Sequence, residues 1–145
     1  ETLSKVILLT SFMPIISAIS GNTGLQAAAI TVRSLATGHA SINRWKEPLL
    51  RSLQTSLIIG SICGLILGAI GAMWFGKITF GIVVGLSMCL SINISALIGT
   101  TSPLLSKKMG FDPAITAGPF ETAFQDVIGI TVFLTLATVS LKWLM

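Results

Sequence analysis

Two acids stand out because of their surroundings. Glu121 and Asp126 fall in GPFETAFQDVIGITVFLTLATVSL, a stretch otherwise apolar enough to lie in a membrane. A carboxylate at the centre of a membrane helix costs on the order of 3 kcal/mol on insertion scales, so a chain keeps one where it is paired or used. Asp126 lies 12 residues past Ala114. At helical rise that is about 18 Å into the segment, near mid-bilayer. Helical spacing puts Thr122 at i−4, Pro119 at i−7 and Gly129 at i+3 on the face of Asp126. The face offers a carboxylate, a hydroxyl and carbonyls loosened by proline. Oxygen ligands without His or Cys suit hard cations such as Mg²⁺ or Ca²⁺. Asp126 and Thr122 are therefore candidate cation ligands. Glu121 lies on another face, with Gln125, and two roles stay open for it. It is either a further ligand, or it packs within the bundle or pairs with a basic residue of another helix near the cytoplasmic end.

The first apolar run holds a second unusual segment. Pro14 precedes Gly21-Asn22-Thr23-Gly24 and Gln26, with no formal charge nearby. Two glycines, an amide and a hydroxyl can break a helix and expose carbonyls. Such backbone is tolerated at membrane depth only where it is buried in protein or lines a wet cavity, and broken helices often mark ion sites. The alternative is a close helix contact made possible by the glycines. Asn93 reads as an interhelical hydrogen bond. Cys63 and Cys89 read as apolar thiols, and His39 as a solvated loop residue.

These residues must be positioned by helices in lipid. Charged residues make up 10% of the chain and the mean hydropathy is +0.91, against roughly 25% charged in an average soluble domain. The nine basic residues are scattered, which excludes a nucleic-acid-binding face. Uncharged runs extend over 6–32, 52–76 and 78–106, and a fourth long segment follows Asp112, interrupted by the two acids. A span needs about 20 apolar residues. The expected fold is all-α, a polytopic membrane bundle with spans near 3–36, 50–75, 78–105 and 113–143. The runs do not alternate as barrel strands would.

Arg33, Arg44, Lys46, Arg51, Lys107 and Lys108 fall on one side of such a bundle, and Lys5, Lys77 and Lys142 on the other. The richer side is cytoplasmic by the positive-inside rule, so both termini face outward. Because Glu1 replaces a starting Met, a further helix is expected upstream. The linker 37–49 suits a short interfacial helix, with Ser41 as its N-cap and Ile42, Trp45 and Leu49 at helical spacing.

Small residues recur every fourth position at Ser56, Gly60, Gly64, Gly68 and Ala72, and again at Ser87, Ser91, Ser95 and Gly99. Such ridges let helices approach closely where lipid offers no hydrophobic drive.

The run MPIISAISGNTGLQAAAITVRSLATG resembles the second transmembrane helix of the MgtE-type magnesium channels and transporters. There, a proline precedes GNTG-x-Q and a helix ending in R-[AS]-L-A-T. The run GFDPAITAGPFETAFQDVIGI resembles their fifth and last helix. The eukaryotic solute carriers with MgtE-type domains share the pattern. The resemblance covers essentially the whole chain, taken as a single domain, 1–145. It implies a five-helix domain whose first helix has no counterpart here, in the cell (inner) membrane. It also implies a homodimer whose central pore is lined by the second and fifth helices, with Mg²⁺ as the transported ion. Asp126 would hold the hydrated ion. The candidate pore-lining residues are Gly21, Asn22, Thr23, Gly24, Gln26, Gly118, Pro119 and Gly129. Three positions depart from the family pattern. Gly118 stands where Asn is usual, Thr122 where Ala is usual, and Glu121 where an apolar residue is usual.

The expected function is Mg²⁺ transport through a dimeric pore with a central acidic site. A Na⁺- or H⁺-coupled divalent cation carrier and a non-transporting membrane subunit are the rivals. No nucleophile–base set, phosphate loop or metal-ligand spacing points to an enzyme.

Overall fold

The computed structural model describes residue 7 and residues 10–144, with the side chains at 119, 120, 137 and 140–144 outside the description. The flanking charges Lys5 and Lys142, and the start expected for the first span, lie outside what is described.

Among the described residues, four α-helices make up the bundle. They are α1 (Met13–Ala36), α2 (Lys46–Phe75), α3 (Ile78–Lys108) and α4 (Pro119–Leu144). Three of them, α1, α2 and α3, are long and apolar enough to cross a membrane. Helix α4 has 26 residues, about 39 Å of helix. Helix α2 begins at Lys46, ahead of the expected start, because Lys46, Glu47 and Pro48 at its first turn are compatible with helix. The expected interfacial helix is reduced to a 3-10 turn, Ile42–Arg44, and Ser41 makes no side-chain cap there.

Helix α3 is the axis of the fold. It packs along α2 on one side and along α1 and α4 on the other, whereas α1 and α2 scarcely touch. Sequence explains the α2–α3 seam. A Cβ at Gly64 would stand 2.6 Å from the Gly85 carbonyl, and one at Gly68 2.8 Å from the Gly81 carbonyl. Only glycine permits that backbone approach, so the seam is the small-residue ridge of α2 at work. Asn93 locks it, accepting from Ser56 Oγ at 2.9 Å and donating to the Cys89 carbonyl at 2.8 Å. The reversal between the two helices turns on Gly76 at φ +63°, a left-handed conformation favourable to glycine.

At the end near that reversal, Phe12, Phe75 and Phe80 meet edge-on or tilted, with centroids 4.4 to 6.2 Å apart. They join Ile16, Val84, Met88 and Phe133 in the apolar core. At the opposite end Lys107 Nζ donates to the Leu35 carbonyl at 3.3 Å, placing a cation at the C-terminus of α1.

Candidate functional site

The site is built where α4 enters the bundle. Asp112 Oδ1 accepts from the Ala114 amide at 2.9 Å and caps a 3-10 turn, Pro113–Thr116. The chain then breaks at 117–118 and restarts as α4 at Pro119. The proline suits this first helical position, because its missing N–H would have no intrahelical partner there. Its side chain is outside the description. Gly118 is half-buried, with open space where a Cβ would stand.

Helix α4 presents two polar faces about 100° apart. Thr122 and Asp126 are exposed, while Glu121, Gln125 and Gly129 are buried. The Asp126 carboxylate lies against α1. Ser17 Oγ donates to Oδ1 at 2.7 Å, and a Cβ at Gly21 would stand 3.8 Å from the same oxygen. Thr122, one turn nearer the helix start, bonds weakly to the Gly118 carbonyl at 3.4 Å. Asn22 is exposed on the outer side of α1, next along the chain from Gly21. The structure thus brings Asp126 against Ser17 and Gly21 of α1, with Thr122 exposed one turn away on α4, while Asn22 is exposed on α1 about 100° round the helix from Gly21.

Other expected site residues lie elsewhere. Helix α1 runs unbroken through Gly21-Asn22-Thr23-Gly24, so no carbonyls are freed there. The glycines serve close contacts instead. Gly24 packs beneath the Gln125 side chain, and Gly99 of α3 rests on the Gly24 carbonyl. Thr23 bonds its own helix at the Ile19 carbonyl, 2.9 Å away. Thr23 and Gln26 line a groove of about 300 Å³ between α1 and α2. The Glu47–Arg51 pair, 2.8 Å apart, stands in its wall. Gly129 does not continue the face of Asp126. It turns inward against Ser20 and Ser91, because i+3 falls about 60° off the face and α3 lies on that side.

Glu121 is 0% exposed. Of the readings left open for it, packing within the bundle is what the described residues show, with two polar side chains and no basic one bonded to it. Ser102 Oγ donates to Oε2 at 2.9 Å and Gln125 Nε2 to Oε1 at 2.7 Å. Gln125 Nε2 also donates to the Ser95 carbonyl at 2.9 Å.

Ser17 and Ser102 carry no signal of their own in the sequence reading, and Ser91 and Ser95 figure there only in a packing ridge whose partner helix was not specified. Ser17 was reachable, since it sits one turn before Gly21 on the same helix face. The meeting of Ser95 and Ser102 with α4 was not, because nothing in α3 alone says which helix its serine face meets.

Long apolar helices joined by glycine-mediated backbone contacts define a polytopic helical membrane bundle. A family model described as "MgtE: Divalent cation transporter" matches residues 13–136, and the chain belongs to that family. It is 31% identical over 138 residues to a magnesium transporter MgtE of Bacillus subtilis, covering 95% of this chain and 31% of that protein. Over 143 residues it is 30% identical to the magnesium transporter MgtE of Thermus thermophilus, covering 98% of this chain and 31% of the relative. A third, from Enterococcus faecalis, is 29% identical over 140 residues, covering 97% and 31%. The chain thus spans about a third of the length of these relatives. It is a multi-pass membrane protein of a family that transports divalent cations.

Proposed function

We propose that the chain conducts Mg²⁺ across the cell's inner membrane, and that two copies meet on the α1–α4 surface to form the pore. The observation that carries the reading is the Asp126 carboxylate. It is exposed on the outside of a single bundle and held by Ser17 alone among the hydrogen bonds described. A carboxylate left facing hydrocarbon is costly. A second copy related by a two-fold axis would cover it and bring a second acid opposite. Two carboxylates across a wet path suit an ion that keeps its waters. Mg²⁺ dehydrates reluctantly and is commonly held by one or two carboxylates through its hydration shell. Asp126 is the residue assigned to the ion. Thr122, Gly118, Asn22 and Gly21 line the path, with Pro119 at its entrance. Glu121 is too deeply buried to face it. The site must also release its ion quickly, which a water-mediated contact allows.

The relatives' name supports magnesium as the ion. The richer positive charge of the 37–51 and 107–112 loops supports placing them in the cytoplasm. Purified protein in liposomes loaded with a Mg²⁺-sensitive dye tests the proposal. Uptake above that of protein-free vesicles is the expected result, and equal signals would leave a non-transporting membrane subunit.

A further inference from the structure

Glu121 and Gln125 take no part in the open face, yet they are among the largest fully buried side chains. Gln125 sits where three helices meet. A Cβ at Gly24 of α1 would stand 2.6 Å from its Nε2, and that nitrogen bonds both Glu121 and the Ser95 carbonyl of α3. One turn on, Ser91 Oγ reaches the Gly129 carbonyl at 3.5 Å. Ser102, Ser95 and Ser91 of α3 therefore meet Glu121, Gln125 and Gly129 of α4 in antiparallel order.

This ladder is not the simplest way to fill the space. Gln125 Oε1 is buried without a hydrogen-bond partner, and an unpartnered buried polar atom costs about 1–3 kcal/mol. An apolar pair of similar volume would remove that cost, and such replacements are often neutral or stabilising. Apolar surfaces, however, allow one membrane helix to turn or slide against another. Directional bonds do not, and setting register is the best-attested use of buried polar residues. Asp126 follows Gln125 directly. Its carboxylate reaches Ser17 and Gly21 in the one setting of α4 that the ladder enforces.

We propose that Gln125, supported by Glu121, is a positioning residue that fixes the rotation of α4 and so aims Asp126 at the cation path. The proposal rests on the reading of Asp126 as the ion site. The test uses the full chain in liposomes, with MgCl₂ as probe. It compares wild type, Glu121→Gln, the double variant Glu121→Leu/Gln125→Met, and Asp126→Asn. The rotation is read separately by disulfide yield between Ser20→Cys and Gly129→Cys in a background with Cys63→Ala and Cys89→Ala, since the Gly129 Cβ position lies 3.1 Å from Ser20 Oγ. The double variant melts at or above the wild-type temperature in detergent. Its half-saturation for Mg²⁺ rises about tenfold and its disulfide yield falls. Glu121→Gln still accepts from Gln125 Nε2 through its amide oxygen and can donate from its amide nitrogen to Ser102 Oγ, whose hydroxyl can turn, so it stays within about twofold of wild type. A double variant with unchanged half-saturation and yield overturns the proposal, as does one that loses only thermal stability. If Asp126→Asn transports normally, the ion-site reading fails by itself, and the disulfide yield still decides whether the ladder sets α4.

Discussion

Ser17 and Asp126, 109 positions apart in sequence, are joined by a 2.7 Å hydrogen bond across the α1–α4 contact. The hydroxyl holds Oδ1, and no other described hydrogen bond reaches the carboxylate, which is exposed. A hydrogen bond to a charged group contributes about 1.5–3 kcal/mol. Ser17→Ala therefore raises the Mg²⁺ concentration for half-maximal flux by about tenfold to a hundredfold, with less change in maximal rate. Ser17→Thr keeps the donor and stays near wild type. Concentration-dependent uptake in liposomes measures both.

The backbone contact between α1 and α3 predicts an ordering of two glycine substitutions. A Cβ at Gly99 would collide with the Gly24 carbonyl, which cannot move without its helix. A Cβ at Gly24 would meet the end of the Gln125 side chain, which can. Gly99→Ala is the more damaging, at about 1–3 kcal/mol as for other overpacked interiors. Thermal melting in detergent should show a larger drop for Gly99→Ala, and Gly24→Ala should disturb flux more than it disturbs melting.

Much of this was legible in the residues themselves. The α2 ridge points to a partner helix because small residues at every fourth position let another backbone approach, and Gly64 and Gly68 do meet backbone. Asn93 bridges two helices as its depth requires. Asp126 was exposed to view by its cost in lipid. The GNTG segment misled because the same composition serves a broken helix and a close contact, and only the partner, Gly99, decides between them. Glu121 was ambiguous for a similar reason. Its face points at Ser102 and Ser95, and a single sequence does not say that α3 lies there.

Topology follows from the loops. Lys77 is exposed at the α2–α3 reversal and Lys108 at the far end of α3. In a background without Cys63 and Cys89, an impermeant thiol reagent applied outside intact cells should label Lys77→Cys and spare Lys108→Cys. The reverse pattern would invert the bundle.

Dimerisation on the α1–α4 surface predicts that Thr122→Cys, exposed one turn from Asp126, crosslinks between copies in the membrane. A cysteine at Ile62, exposed on α2, should not. Gel mobility under non-reducing conditions distinguishes them, and crosslinking at Ile62 alone would place the interface on α2.

The central claim is that Asp126 holds the transported ion and Glu121 does not. Asp126→Asn keeps the size of the side chain and removes its charge, and removing a buried or lipid-facing charge does not in itself unfold a membrane bundle. Dye-loaded liposomes at matched protein amounts should show Mg²⁺ uptake abolished or greatly reduced in Asp126→Asn and close to wild type in Glu121→Gln. Normal uptake by Asp126→Asn with loss in Glu121→Gln would contradict the account and move the ion path to the other face of α4.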